Sequence, residues 1–150
     1  MEWIAALRGS TVALDTAPLI YFIEEHPHYL PKIRPFFEAL QRGEFHAVTS
    51  LVTLVEVLVQ PLRKGRIKLA DEYRQILLQT PGLTAVAIDE SVAEKAAELR
   101  ATYNVRTPDA IQLATAVVAR ASWILTNDAE LVRVPGVTTL VLKDLPPTVS

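Results

Sequence analysis

The chain has 150 residues, half of them apolar, no cysteine and a formal charge of −2. A single domain burying about 70% of its unfolded surface is expected at this length, and the missing cysteines exclude disulfides and thiolate metal sites, leaving oxygen donors or the three histidines for any metal. The N-terminal Met-Glu-Trp-Ile-Ala-Ala-Leu-Arg lacks the basic start and apolar core of a signal peptide, and the longest apolar stretch, Leu51 to Val59, contains Glu56 and is too short for a bilayer, so the chain reads as soluble, unexported and cytoplasmic.

Strand-length apolar runs alternate with segments of helical period, the pattern of a parallel sheet covered by helices on both faces. Thr11 to Leu14 reads as the first strand, closed by Asp15, and Pro18 and Pro31 suit the first turns of the helices that follow. Phe45 to Thr49 is the expected second strand, with Ser50 as cap of a helix from Leu51 and Glu56 in its second turn. The basic residues Arg63, Lys64, Arg66 and Lys68 come next, by default a solvated loop and helix start. Thr84 to Ile88 is the expected third strand, and Asp89 the cap of a helix from Ser91 to Tyr103. Thr107-Pro108 is a start signal for a helix over Asp109 to Arg120, with Thr107 as cap. Trp123 to Thr126 and Val137 to Leu142 complete the strands. No repeat, low-complexity tract or linker divides the chain, so residues 1–150 are expected to fold as one unit.

Ligands of open α/β sheets collect at the carboxyl ends of the strands, where strand order reverses. Asp15 and Asp128 fall at strand ends, Asp109 opens a helix and Glu56 sits early in one, so all four acids can reach one rim. Carboxylates gathered in this way suit hard divalent cations. Taken singly, each has an ordinary alternative. Asp15 is a good helix cap, Asp109 gains from the dipole of its helix, and Asn127-Asp128 is common turn chemistry. Glu56 is harder to explain, because Leu54, Val55, Val57, Leu58 and Val59 surround it and a buried lone carboxylate is costly. Thr53 and Gln60 nevertheless permit a polar stripe with it on a solvated face. Asp89 competes for a place in the site and is assigned to capping. His26-Pro-His28 reads as a surface turn, and His46 as structural or exposed.

The four acids account for −4, so the rest of the chain carries +2 against the total of −2. A nearly neutral sum therefore does not exclude a phosphate-bearing substrate, because local potential steers it. Arg63, Lys64, Arg66 and Lys68 form the densest positive cluster and the candidate contact for such a substrate.

The order of the acids, with Leu-Asp-Thr near the start, Thr-Leu-Val-Glu-Val after the second strand, then Asp109-Ala-Ile-Gln-Leu-Ala-Thr-Ala116 and Thr126-Asn-Asp128, resembles the PIN-domain family and within it the VapC-type ribonuclease toxins. The resemblance runs from Val12 to Leu142, and its last two motifs are the most specific. It implies a three-layer α/β/α domain with a mostly parallel central sheet, an Mg²⁺ or Mn²⁺ site and endoribonuclease activity. The family's acidic quartet falls on Asp15, Glu56, Asp109 and Asp128, Thr126 matches the hydroxyl that orders the site, and Thr16 is the small hydroxyl residue after the first acid. Ala121 departs from a common glycine and puts one turn in question. The resemblance further implies a homodimer and a small antitoxin partner, with RNA as substrate.

The chemistry agrees. Hydrolysis of a phosphodiester needs an activated water, charge relief on nonbridging oxygens and a stabilised leaving oxygen, which divalent ions provide. Mg²⁺ commonly uses one or two carboxylates directly, and Asp15 and Asp109 are the expected direct ligands, with Glu56 and Asp128 completing the site or orienting water. Crowded acids should also bind protons more tightly when no cation is present. Two alternatives stand beside this reading: a receiver-like Mg²⁺-binding phosphoacceptor domain, with Lys143 after its last strand, and a PIN-like scaffold that binds RNA or protein without cutting.

Overall fold

The computed structural model of the chain describes residues 2–147. In order, its elements are α1 (Glu2–Ala5), β1 (Thr11–Leu14), α2 (Thr16–Ile23), α3 (Leu30–Gln41), β2 (His46–Ser50), α4 (Leu51–Arg63), α5 (Ile67–Gln79), β3 (Leu83–Val86), α6 (Glu90–Tyr103), α7 (Thr107–Val118), β4 (Trp123–Thr126) and β5 (Thr138–Val141), followed by a 3₁₀ turn over Leu142–Asp144. The five strands form one sheet in the order β3-β2-β1-β4-β5, and every pairing is parallel.

Alternation along the strands builds a core on each face, because successive side chains point to opposite sides of a pleated sheet. Val12, Leu14, Ala47 and Leu125 pack beneath the layer formed by α1 to α5, with Leu19, Phe36, Phe37 and Tyr73. Ala13, Val48 and Ile124 point the other way and pack against α6 and α7 through Val92, Leu99 and Leu113. Each fully buried Leu or Phe contributes about 1.5–3 kcal/mol, so the three layers follow directly from the apolar pattern. Among the described residues, no helix is long and apolar enough to cross a membrane.

Several element ends shift by one or two residues from the sequence reading, and three local differences have a clear physical reason. The third strand ends at Val86, opposite Ser50, because β2 offers no partner beyond that residue; Ile88 is left exposed. Thr107 lies inside α7 and does not cap it. The carbonyl of Arg106 accepts the Ala110 N–H at 2.9 Å, which sets the start one residue earlier, and Arg106 supplies no side-chain cap. At the turn before β4 the left-handed conformation falls on Arg120, with φ 57°, while Ala121 is buried and donates its N–H to Ala116. The turn thus forms without a glycine, at a cost of roughly 1–2 kcal/mol for the left-handed arginine.

Gly65 divides α4 from α5. It adopts φ 68° just after the Lys64 cap, a left-handed position that closes helices and that glycine enters without a Cβ penalty. The basic residues therefore bracket a tight interhelical turn.

Strand order runs outward from β1 through β2 to β3, then resumes on the other side of β1 with β4 and β5. The reversal lies between β1 and β4, and the residues that leave these two strands are Asp15 and Asn127-Asp128.

Candidate functional site

Asp15 stands at the reversal because the register pairs Leu14 with Leu125, which puts the next residues, Asp15 and Thr126, side by side. Its backbone N–H donates to the Leu125 carbonyl at 2.9 Å. One carboxylate oxygen accepts the Thr16 N–H at 2.8 Å and caps α2, and the other accepts the Thr126 hydroxyl at 2.7 Å. The capping reading therefore holds, and the same side chain stands at the reversal of the sheet.

Burial, above all, raises the pKa of Asp15 from its ordinary value; the charges of Asp109 and Glu56 add to the rise, and the bonds from Thr126 and Thr16 oppose it. The expected crowding of acids is thus present at Asp15, where desolvation outweighs repulsion. That Asp109 and Glu56 both act on Asp15 joins three of the four acids electrostatically.

Glu56 is exposed, so its presence in α4 does not rest on a buried charge. The apolar neighbours that made it look buried diverge around the helix: Val57 points inward, while Val55 is 62% exposed. What holds Glu56 is Thr16, whose hydroxyl donates to its carboxylate at 2.7 Å. Thr53 is not part of a solvated stripe with it. Its side chain is fully buried and lies 2.9 Å from the Thr49 hydroxyl, which in turn donates to the Leu14 carbonyl at 2.8 Å.

Gln112 completes this buried network and was not singled out by the sequence reading. Its amide nitrogen donates to Thr53 and approaches the Thr16 oxygen at 3.4 Å, and its carbonyl faces the Ser50 N–H at 3.4 Å. The available signal was a glutamine three residues after Asp109 in an otherwise apolar run.

Asp109 lies in the first turn of α7, with Arg106 at 3.5 Å as an ion pair across that turn. Asp128 is exposed at the rim; its N–H donates to Thr126 at 3.0 Å and its carboxylate accepts the Glu130 N–H at 2.9 Å. The turn chemistry expected of Asn127-Asp128 is therefore realised. Asn127 braces the rim, donating to the Tyr21 hydroxyl at 3.1 Å and accepting the Lys143 N–H at 2.8 Å. Asp89 accepts the Val92 N–H at 2.9 Å and caps α6 as expected.

Among the described residues, no group of three or more Asp, Glu or His is arranged closely enough to make a ready metal cage. The donor chemistry nonetheless fits a hard cation that keeps most of its waters and takes one or two carboxylates: the side chains are all oxygen donors, and burial, with a smaller push from two further acids, makes Asp15 unfavourable to ionise.

A groove of about 310 Å³ opens beside Glu56 and runs past Gln60 to Lys64, Arg66 and Tyr73. Lys68 lines a larger neighbouring groove, of about 730 Å³, with Phe22, Leu30 and Ile76. Arg63 lines neither. Among the described residues, none of the four cations has a carboxylate within ion-pair distance.

Residues 12–137 match the PIN domain family. No curated protein matches the chain significantly. Solved structures share the fold: a chain of a toxin–antitoxin complex from Klebsiella pneumoniae, 26% identical with TM-score 0.63, covers 85% of this chain and 96% of its own. A chain of VapBC2 from Rickettsia felis, solved with a promoter DNA fragment, is 18% identical with TM-score 0.69 over 87% of this chain and 97% of its own. A chain of FitAB bound to the IR36 DNA fragment is 18% identical with TM-score 0.66, over 90% and 97%.

Proposed function

The chain belongs to the PIN-domain family, and from that membership we propose that it is a divalent-metal-dependent endoribonuclease, the toxin of a toxin–antitoxin pair. The observation that carries the reading is Asp15: a desolvated carboxylate, oriented by two hydrogen bonds and loaded by the charges of Asp109 and Glu56, at the reversal of a parallel sheet. Such a group is costly to ionise in the free protein and gains from a cation.

Asp15 and Asp109 would hold Mg²⁺ or Mn²⁺, with Glu56 and Asp128 acting through water. The bound ion supplies charge relief on the phosphate oxygens and a more acidic water. Thr126 and the Thr16 N–H keep the Asp15 carboxylate in one orientation. Glu56, exposed and held by Thr16, would orient the attacking water. Lys64 and Arg66, on the groove that leads from Glu56, contact the RNA backbone; Lys68 extends this contact, and Arg63 contributes field alone.

The toxin role draws its support from the 26%-identical relative solved in a toxin–antitoxin complex, and the partner proposed is a small antitoxin that blocks the acidic site. A homodimer is supported by apolar side chains left in solvent on α4 and at the start of α5, with Leu62 56% and Ile67 71% exposed. The receiver-like alternative is set aside by the family, and Asp89 serves α6 as a cap. The non-cutting scaffold predicts RNA binding without turnover. Incubation of RNA with the protein in Mg²⁺, Mn²⁺ or chelator, with product ends mapped, separates the two.

A further inference from the structure

Gln112 is 4% exposed in the middle of α7, where a leucine would serve the core and an amide is costly unless its polar atoms are paired. The pairing it makes is directional. Glu56, as a carboxylate, only accepts, so the Thr16 proton is committed to it at 2.7 Å and the Thr16 oxygen is left to accept from Gln112. Thr49 gives its proton to the Leu14 carbonyl, so Thr53 donates to Thr49 and its oxygen, too, is left to accept from Gln112. The Gln112 carbonyl faces the Ser50 N–H. Both amide hydrogens and the amide oxygen are therefore used, and on different elements.

These elements are the ones that carry the acids. Asp109 is one turn before Gln112 on α7, Thr16 adjoins Asp15 at the start of α2, and Ser50 and Thr53 begin the helix that carries Glu56. We infer that Gln112 is a positioning residue that, through Thr16 and Thr53, fixes Glu56 and Asp15 relative to Asp109 for cation binding. The inference rests on the nuclease reading and adds to it a residue beyond the acids and Thr126. An uncharged amide suits the role, because it fixes Thr16 and Thr53 without adding to the repulsion among the carboxylates or neutralising them.

The test is Mn²⁺ binding to the purified full chain by calorimetry, with melting temperature recorded for each variant. Gln112→Met, which keeps the volume and loses every polar atom, is expected to weaken Mn²⁺ binding about tenfold, the effect typical of groups that orient metal ligands. Thr16→Val should weaken it similarly, whereas Thr16→Ser should keep most of the affinity that valine loses. Because the two residues act in one chain of bonds, Gln112→Met with Thr16→Val should lose little more than the larger single loss. On RNA, kcat should fall while KM holds. A purely structural glutamine would lower the melting temperature and leave Mn²⁺ affinity within twofold of wild type, and that result overturns the proposal, as does full additivity in the double variant. If Gln112→Met does not fold, the two Thr16 variants decide: equal affinities for valine and serine overturn it. A wild-type chain that binds no Mn²⁺ removes the metal reading and the proposal with it; one that binds Mn²⁺ and cleaves no RNA removes the nuclease reading alone.

Discussion

Thr126 donates its hydroxyl proton to Asp15 at 2.7 Å and accepts the N–H of Asp128 at 3.0 Å, so one buried side chain ties the ends of two adjacent strands at the reversal of the sheet. The bond to Asp15 holds that carboxylate's proton affinity down against burial. Thr126→Val removes it, so the acidic limb of the pH profile of kcat/KM should move to higher pH. Stability should fall by roughly 1–3 kcal/mol, since the buried Asp15 carboxylate loses a donor. An acidic limb that stays in place in this variant would mean that Asp15 is not the group it reports.

Asp15 also makes a pH-dependent contribution to stability. Its folded pKa lies above the ordinary 3.8, with burial the largest cause, so the folded state binds the proton more tightly than the unfolded chain. The metal-free protein therefore loses stability as pH rises from about the unfolded value through the raised one. Asp15→Asn removes that dependence. Its melting temperature relative to wild type should rise from pH 4 to pH 7 in chelator, and this trend should shrink in saturating Mg²⁺. A constant difference across that range would contradict the account of Asp15.

Asp109→Asn should reduce cleavage by about 100-fold or more, the scale on which loss of one preorganised electrostatic group acts. Its fold should survive, because the dipole gain it gives up is about 0.3–1 kcal/mol and its ion-pair partner Arg106 is 80% exposed. Asp89→Asn is the comparison and should cleave normally, since Asn caps α6 as well as Asp does. Near-normal turnover by Asp109→Asn at saturating Mg²⁺ would remove Asp109 from the site.

Much of this arrangement was legible in the chain. Asp15 ends an apolar run at the point where a parallel sheet turns, and the alternation of Val12, Ala13 and Leu14 alone assigns the two faces. Glu56 was selected for a reason the fold does not bear out: linear neighbours do not report exposure on a helix, where Val55 and Val57 face opposite ways. Thr53 was read as solvated, and Gln112 escaped notice, because the bonds that bury them close over 59 residues between Gln112 and Thr53 and 96 between Gln112 and Thr16, and no local pattern encodes such a pairing. Thr107 misled because a threonine before proline is a good start signal, while the hydrogen bond from Ala110 chose Arg106.

The basic turn offers a test by salt. Lys64 and Arg66 share a groove with Glu56, and each phosphate contact on single-stranded RNA should steepen the fall of log affinity with log salt by about 0.7. Replacing both with Gln should raise KM and flatten that slope, with kcat held. Arg63→Gln should change it less, as Arg63 lines neither groove. An unaltered slope in the double variant would return the cluster to an ordinary solvated surface or to the antitoxin.

The toxin role is tested in the cell. Expression of the wild-type chain without an antitoxin should restrain growth of the native host, and Asp109→Asn should relieve it. Unimpaired growth with active enzyme present at high level would count against the toxin role and leave the nuclease standing.

Hydrolysis of RNA by a water that depends on the acids around Asp15 and a divalent ion is tested most directly by the identity of the ends produced from a defined RNA in Mg²⁺ and in chelator. Internal cuts with 5′-phosphate and 3′-hydroxyl ends are expected, formed in Mg²⁺ or Mn²⁺ and absent in chelator or with Asp15→Asn. Cyclic phosphate ends formed equally well in chelator would show attack by the RNA's own 2′-hydroxyl and contradict that mechanism.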